Sequence, residues 1–173
     1  MTIKLGRIRD HWANFIGQFA FQWFVSLTFK NPVRQELGRK KILRWVRQLC
    51  VEEGLQIAFI GVENEFYHRA HWHLLMLGRN RFGRNRNLSS VDKEKWARRW
   101  WEANCGRWIK VKKGALIKGV RKTTDENKYL AKNLVVENPD ASDIFIYNKK
   151  LLKKLRRESP VLPKENGTTS RGI

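Results

Sequence analysis

Cysteine is nearly missing from this chain. Cys50 and Cys105 are its only two, they lie far apart, and no CxxC pair occurs. That excludes a disulfide scaffold and a thiolate zinc site, and it fits a reducing compartment. Long apolar runs are missing too. No stretch is long enough to span a bilayer, and Gln18 and Gln22 interrupt the aromatic run FIGQFAFQWFVSL with no small-residue cleavage site after it. A secretory signal is therefore not expected, and a cytoplasmic location is. No internal repeat is visible. Acidic residues are scarce: 16 Asp and Glu face 36 Lys and Arg, a formal charge of +20. Folding gains nothing from such an excess, because the charges repel. A phosphate-bearing partner explains it, nucleic acid before an anionic membrane surface.

What remains is enough for one domain. With 173 residues the chain can bury a real core. FQWFVSLTF (21–29) is rich in β-branched and aromatic residues and stops at Asn31-Pro32, which reads as a strand. From Val33 to Glu53 the residues Leu37, Ile42, Trp45, Val46 and Leu49 recur at helical spacing, and Gly54 supplies the stop. LQIAFIGVE (55–63) and AHWHLLMLG (70–78) read as two more strands, paired as an antiparallel hairpin. GRNRFGRNRNLSS (78–90) is an arginine-rich loop. Ser90 is expected to cap a helix over Val91–Asn104, with Trp96, Trp100 and Trp101 assigned mainly to the core.

A basic hairpin around Gly114 follows (107–120). Next comes a helix, ENKYLAKNLVV, capped by Thr124 or Asp125 and ended by Asn138-Pro139, then a strand DIFIY and a basic stretch NKKLLKKLRR. The order predicts an α+β, ferredoxin-like (split βαβ) antiparallel sheet with helices packed on it. It spans residues 1–158, and a disordered tail covers 159–173.

Histidine is scarce as well, yet three of the four lie within HRAHWH (68–73). Side chains alternate along a strand, so His71 and His73 share one face, about 7 Å apart. A carboxylate from the preceding strand, Glu63 or its competitor Glu65, would complete a site for a divalent ion that keeps positions open for a substrate oxygen. On the helix ENKYLAKNLVV, Tyr129 and Lys132 are three apart and face the same way. A tyrosine with its ordinary pKa near 10 is a weak nucleophile unless a polarised phosphodiester and a nearby ammonium assist it.

Together, FVSLTF (24–29) with its Leu27-Thr28 pair, His71-Trp72-His73, and Tyr129-Leu130-Ala131-Lys132 resemble, in that order, three motifs of the HUH endonucleases. The closest resemblance is to the single-tyrosine rolling-circle replication initiators (Rep proteins), over roughly residues 20–136. The resemblance implies an HUH-type nuclease domain that binds Mg2+ or Mn2+ and nicks single-stranded DNA or an origin hairpin. The 5′-phosphotyrosine it leaves can later be reversed by a 3′-hydroxyl without ATP. It implies His71, His73 and Glu63 as metal ligands, Tyr129 as nucleophile and Lys132 as the residue that positions the phosphate. It further implies a plasmid, phage or virus protein acting in a host cell, alongside that host's helicase and polymerase.

The chain departs from the pattern in two places. Lys132 is followed by Asn133, so the catalytic helix carries one tyrosine. GRNRFGRN (78–85) has P-loop glycine spacing but Arg84 and Asn85 where Lys and Ser or Thr belong, so no ATPase is expected. The expected DNA contacts are Arg79, Arg81, Arg84 and Arg86 of that loop, Lys110, Lys112, Lys113 and Lys118 of the hairpin, and Lys149–Arg157. The alternatives are an HUH-type transposase and a non-catalytic basic nucleic-acid-binding module.

Overall fold

A computed structural model describes residues 2–66, 69–81, 86–108, 116–120, 131–132 and 144–156, with backbone alone for 2–9, 64–66 and 69–70. The elements run α1 (Thr2–Gly17), β1 (Trp23–Thr28), α2 (Gln35–Glu53), β2 (Leu55–Phe66), β3 (Arg69–Asn80), a 3-10 turn (Leu88–Ser90), α3 (Lys93–Asn104), β4 (Ile117–Gly119), β5 (Phe145–Tyr147) and α4 (Lys149–Lys154). The fold is α+β. The five strands among the described residues form one sheet in the order β4-β1-β3-β2-β5, and every neighbouring pair is antiparallel. β1 and β2 therefore run parallel to each other with β3 between them. The expected β2–β3 hairpin is present and longer than its apolar pattern suggested, because the ladder continues to Phe66 opposite Arg69.

Both faces of the sheet are covered, which is why its strands read as nearly continuous apolar runs. Trp23, Val25 and Leu27 of β1, Ile57 and Phe59 of β2, and Trp72, Leu74 and Met76 of β3 pack with α2 and α3 in one core. Gly54 ends α2 in the left-handed region (φ 65°), and its N–H donates to the Cys50 carbonyl. Gly38 lets α2 lie close to the sheet, since a Cβ there would stand 3.2 Å from Trp72 Nε1. Trp96 and Trp100 of α3 are fully buried and meet Trp45 edge to face, at 6.2 and 6.0 Å between ring centroids.

The start of α3 differs from the sequence expectation. Ser90 lies in the preceding 3-10 turn, where its Oγ donates to the Asn87 carbonyl. Asp92 caps α3 instead, its carboxylate accepting from the N–H groups of Glu94 and Lys95. A serine hydroxyl committed to the turn cannot also cap the helix two residues on.

The second core lies on the opposite sheet face: Phe24 of β1, Ala58, Ile60 and Val62 of β2, and Leu75 and Leu77 of β3. Ala13 and Ile16 of α1 and Leu151 and Leu152 of α4 cover it. α1 was absent from the sequence expectation, and the basic stretch at 149–154 has an apolar side: Leu151 and Leu152 are buried while its four lysines are exposed. Among the described residues no helix is long and apolar enough to cross a membrane. The hairpin tip at Gly114, most of the helix from Thr124 to Asn138, and the tail from Ser159 lie outside the described residues.

Candidate active site

β3 is the central strand, and that places its two histidines on rigid backbone paired on both sides. His71 is registered with Thr28 of β1 and Asn64 of β2, and His73 with Ser26 and Val62. Their rings come together at 4.9 Å between centroids, nearly perpendicular at 86°. On the His73 ring, Phe24 stacks one face at 5.3 Å and 16°, and Ser26 Oγ lies 3.0 Å from Nδ1. When Nδ1–H donates to Ser26 Oγ, Nε2 is left with the lone pair that a metal ligand needs. Burial first, and the neighbouring His71 second, pull the His73 pKa from 6.5 down to about 4. At neutral pH His73 is thus an uncharged imidazole, as ligation requires.

Glu63 is placed differently from the histidines. Its register partner is Trp72, so strand alternation turns it toward the α2–α3 side of the sheet while His71 and His73 face the other way. Val62 and Asn64 are the β2 positions in phase with the histidines. Two imidazoles suit a divalent ion as nitrogen donors. Among the described residues no group of three His, Cys, Asp or Glu side chains completes such a site. Glu65 is registered with Ala70, and its side chain lies outside the described ones.

The helix expected to carry the nucleophile is described only at Ala131 and Lys132. Ala131 is fully buried in the second core, with Phe24, Val62 and Leu75. This places Ala131, inside the YLAK motif, on the sheet face that carries the histidine pair. Lys132 is exposed, and Tyr129 lies outside the described residues.

Arg79 stands at the other end of the same face. His71, His73, Leu75, Leu77 and Arg79 form one row along β3, with His73 and Arg79 about 20 Å apart at 3.3–3.4 Å per residue. Arg79 Nε and Nη2 sit 3.4 and 3.5 Å from Gln56 Oε1, and Arg81 is exposed. Arg79 and Arg86 line a cavity of about 430 Å³. Arg86 has a structural tie: its Nη2 donates to Glu53 Oε2 at 2.6 Å. The buried Glu53 carboxylate also accepts from Trp96 Nε1 at 2.9 Å and Lys95 Nζ at 3.1 Å. Arg84, Lys110, Lys112 and Lys113 lie outside the described residues, and Lys118 is exposed on β4.

Sequence reasoning missed Ser26 and Phe24 as partners of His73. The signal was a lone serine inside the apolar strand FVSLTF. Comparison with known proteins finds no matching family model, no matching curated protein and no matching solved structure.

Proposed function

We propose that this chain is a single-tyrosine HUH-type nuclease that nicks single-stranded DNA, or an origin hairpin, to start rolling-circle replication. The observation that carries this reading is that three distant segments share one sheet face: Ser26 on β1, His71 and His73 on β3, and Ala131 of YLAK in the apolar core of that face. The strand order β4-β1-β3-β2, with α2 joining β1 to β2 and α3 lying between β3 and β4, supports a ferredoxin-like, split βαβ reading of the fold.

In this mechanism His71 and His73 would hold Mg2+ or Mn2+ as nitrogen donors, and the ion would supply Lewis-acid polarisation of a phosphate oxygen. The Tyr129 phenol oxygen forms a new bond to phosphorus and the bond to the 3′ oxygen breaks. The phenol proton is lost and the departing 3′ oxygen gains one, leaving a 5′-phosphotyrosine and a 3′-hydroxyl. Lys132 offsets charge on the non-bridging oxygens. Because the number of phosphodiester-type bonds is unchanged, a later 3′-hydroxyl can reverse the step. Ser26 holds His73 in the tautomer that presents Nε2.

In this role the protein works in the cytoplasm of a host cell as a plasmid, phage or virus product, and host helicase and polymerase extend the nicked strand. The out-of-phase Glu63 favours one second reading, an HUH-type transposase that draws its third ligand from elsewhere than the strand. Incubating the protein with a labelled single-stranded oligonucleotide and Mn2+ tests the proposal: cleavage that stops with chelator supports it. Binding without cleavage at any metal concentration would instead make the chain a non-catalytic nucleic-acid-binding module.

A further inference from the structure

The α2–α3 layer lies on the far side of the sheet from the histidines, and it carries a cationic groove that strand cleavage does not use. Between the two helices a cavity of about 300 Å³ is lined by Lys41, Arg44 and Gln48 of α2 and by Arg99 and Asn104 of α3. Every charged side chain in that lining is positive. On α2, Glu36 pairs with Lys40 and Glu53 with Arg86 and Lys95, while Glu52 pairs with Lys95 and with Arg99 of the groove itself. Among the described residues neither Lys41 nor Arg44 has an ion pair. The Lys41 ammonium rests 5.5 Å from the centroid of the Phe29 ring, and Arg44 is exposed. Lys41 and Arg44, beside an Arg99 already paired with Glu52, leave two uncompensated cations at one small cavity, and these repel unless an anion sits between them.

The floor of the groove decides the class of anion. Trp45 and Trp100 beneath it are 4% and 1% exposed, so neither offers a ring face for a base to stack on. A protein partner would want exposed apolar surface at the centre of its contact, and these rings supply none. Guanidinium forks and an ammonium suit phosphate oxygens. We propose that the α2–α3 groove binds the phosphodiester backbone of a duplex nucleic-acid segment, separate from any strand held at the histidine face. With the sheet between them, the two surfaces can be loaded together. The proposal does not depend on Tyr129 cutting anything.

The test measures binding of the full chain to a short labelled duplex across a salt series, for wild type and for Lys41→Ala/Arg44→Ala. With about −0.9 in log K per log salt for each duplex phosphate contact, the double variant should flatten the slope by about 1.8. Arg44→Ala alone should flatten it by about 0.9, which keeps the test decisive if the double variant folds poorly. Arg44→Lys should keep the wild-type slope, and activity on single strands at low salt should be unchanged in all three. A duplex slope that stays at the wild-type value in the Ala variants overturns the proposal. So does loss of polyglutamate binding in those variants with duplex affinity intact, which would assign the groove to an acidic protein.

Discussion

Ser26 Oγ stands 3.0 Å from Nδ1 of His73, across the β1–β3 ladder that registers the two residues opposite each other. The contact fixes the orientation of an imidazole that burial has already made neutral at physiological pH. Partners of this kind raise metal affinity by holding the ligand ring in place. Ser26→Ala should weaken Mn2+ binding and single-strand cleavage about 10- to 100-fold with the fold intact by circular dichroism. Ser26→Thr, which keeps the hydroxyl on a strand-compatible side chain, should restore most of both. Calorimetric Mn2+ titration of the two variants checks this, and equal losses in both would make the contact merely structural.

The register also separates the three residues first grouped as ligands. His71→Ala and His73→Ala should each remove most cleavage, as should chelation of the wild type. Glu63→Ala should leave Mn2+ affinity near wild type, because strand alternation puts its carboxylate on the Trp72 side. Calorimetry on the three variants decides, and a Glu63→Ala loss equal to that of His73→Ala would require β2 to break its alternation there.

Much of this arrangement was legible beforehand, for identifiable reasons. α2 showed itself through Ile42, Trp45, Val46 and Leu49 at helical spacing and a terminal glycine, and the hairpin through two apolar runs joined by a polar link. The shared face of His71 and His73 followed from alternation alone. The phase of Glu63 did not, because register depends on where the turn falls, and a one-residue slip moves every side chain to the other face. α1 was hidden because its apolar residues, Trp12, Ala13, Phe15 and Ile16, run through Phe19 and Phe21 straight into the aromatic start of β1. Ser26 went unmarked because a single serine in a strand acquires meaning only from the residue across the ladder.

Glu53 joins α2, α3 and the arginine loop through Trp96, Lys95 and Arg86, and its acid sensitivity has a definite sign. Burial alone would raise its pKa. The hydrogen bonds from Trp96 and Lys95 and the charges of Lys95 and Arg86 outweigh that and hold it below the ordinary 4.5. A carboxyl with a depressed folded pKa contributes stability above its unfolded pKa and loses it as pH falls through the folded value. Glu53→Gln should cost about 1–3 kcal/mol at neutral pH. The difference from wild type should shrink below pH 4.5. Urea unfolding at several pH values measures both, and a pH-independent difference would remove the charge from the explanation.

The same tie divides the arginine loop. Arg81 is exposed, whereas Arg86 is held by Glu53. Arg81→Ala should flatten the salt dependence of single-strand binding by about 0.7 and leave stability unchanged. Arg86→Ala should lower the urea midpoint while changing the slope little. Salt titrations and unfolding curves on both variants separate the roles, and a larger slope change for Arg86 would return it to the DNA path.

The proposed bond between Tyr129 and the cut strand is covalent, so it survives on a denaturing gel. Wild-type protein incubated with Mn2+ and a single-stranded oligonucleotide that it cleaves, labelled 3′ of the scissile bond, should carry the label through denaturation. Peptide mapping should then place the bond on Tyr129. The adduct should be absent in Tyr129→Phe, which should still bind the oligonucleotide. A labelled adduct that persists in Tyr129→Phe, or cleavage by wild type that leaves no protein-linked product, would contradict the account.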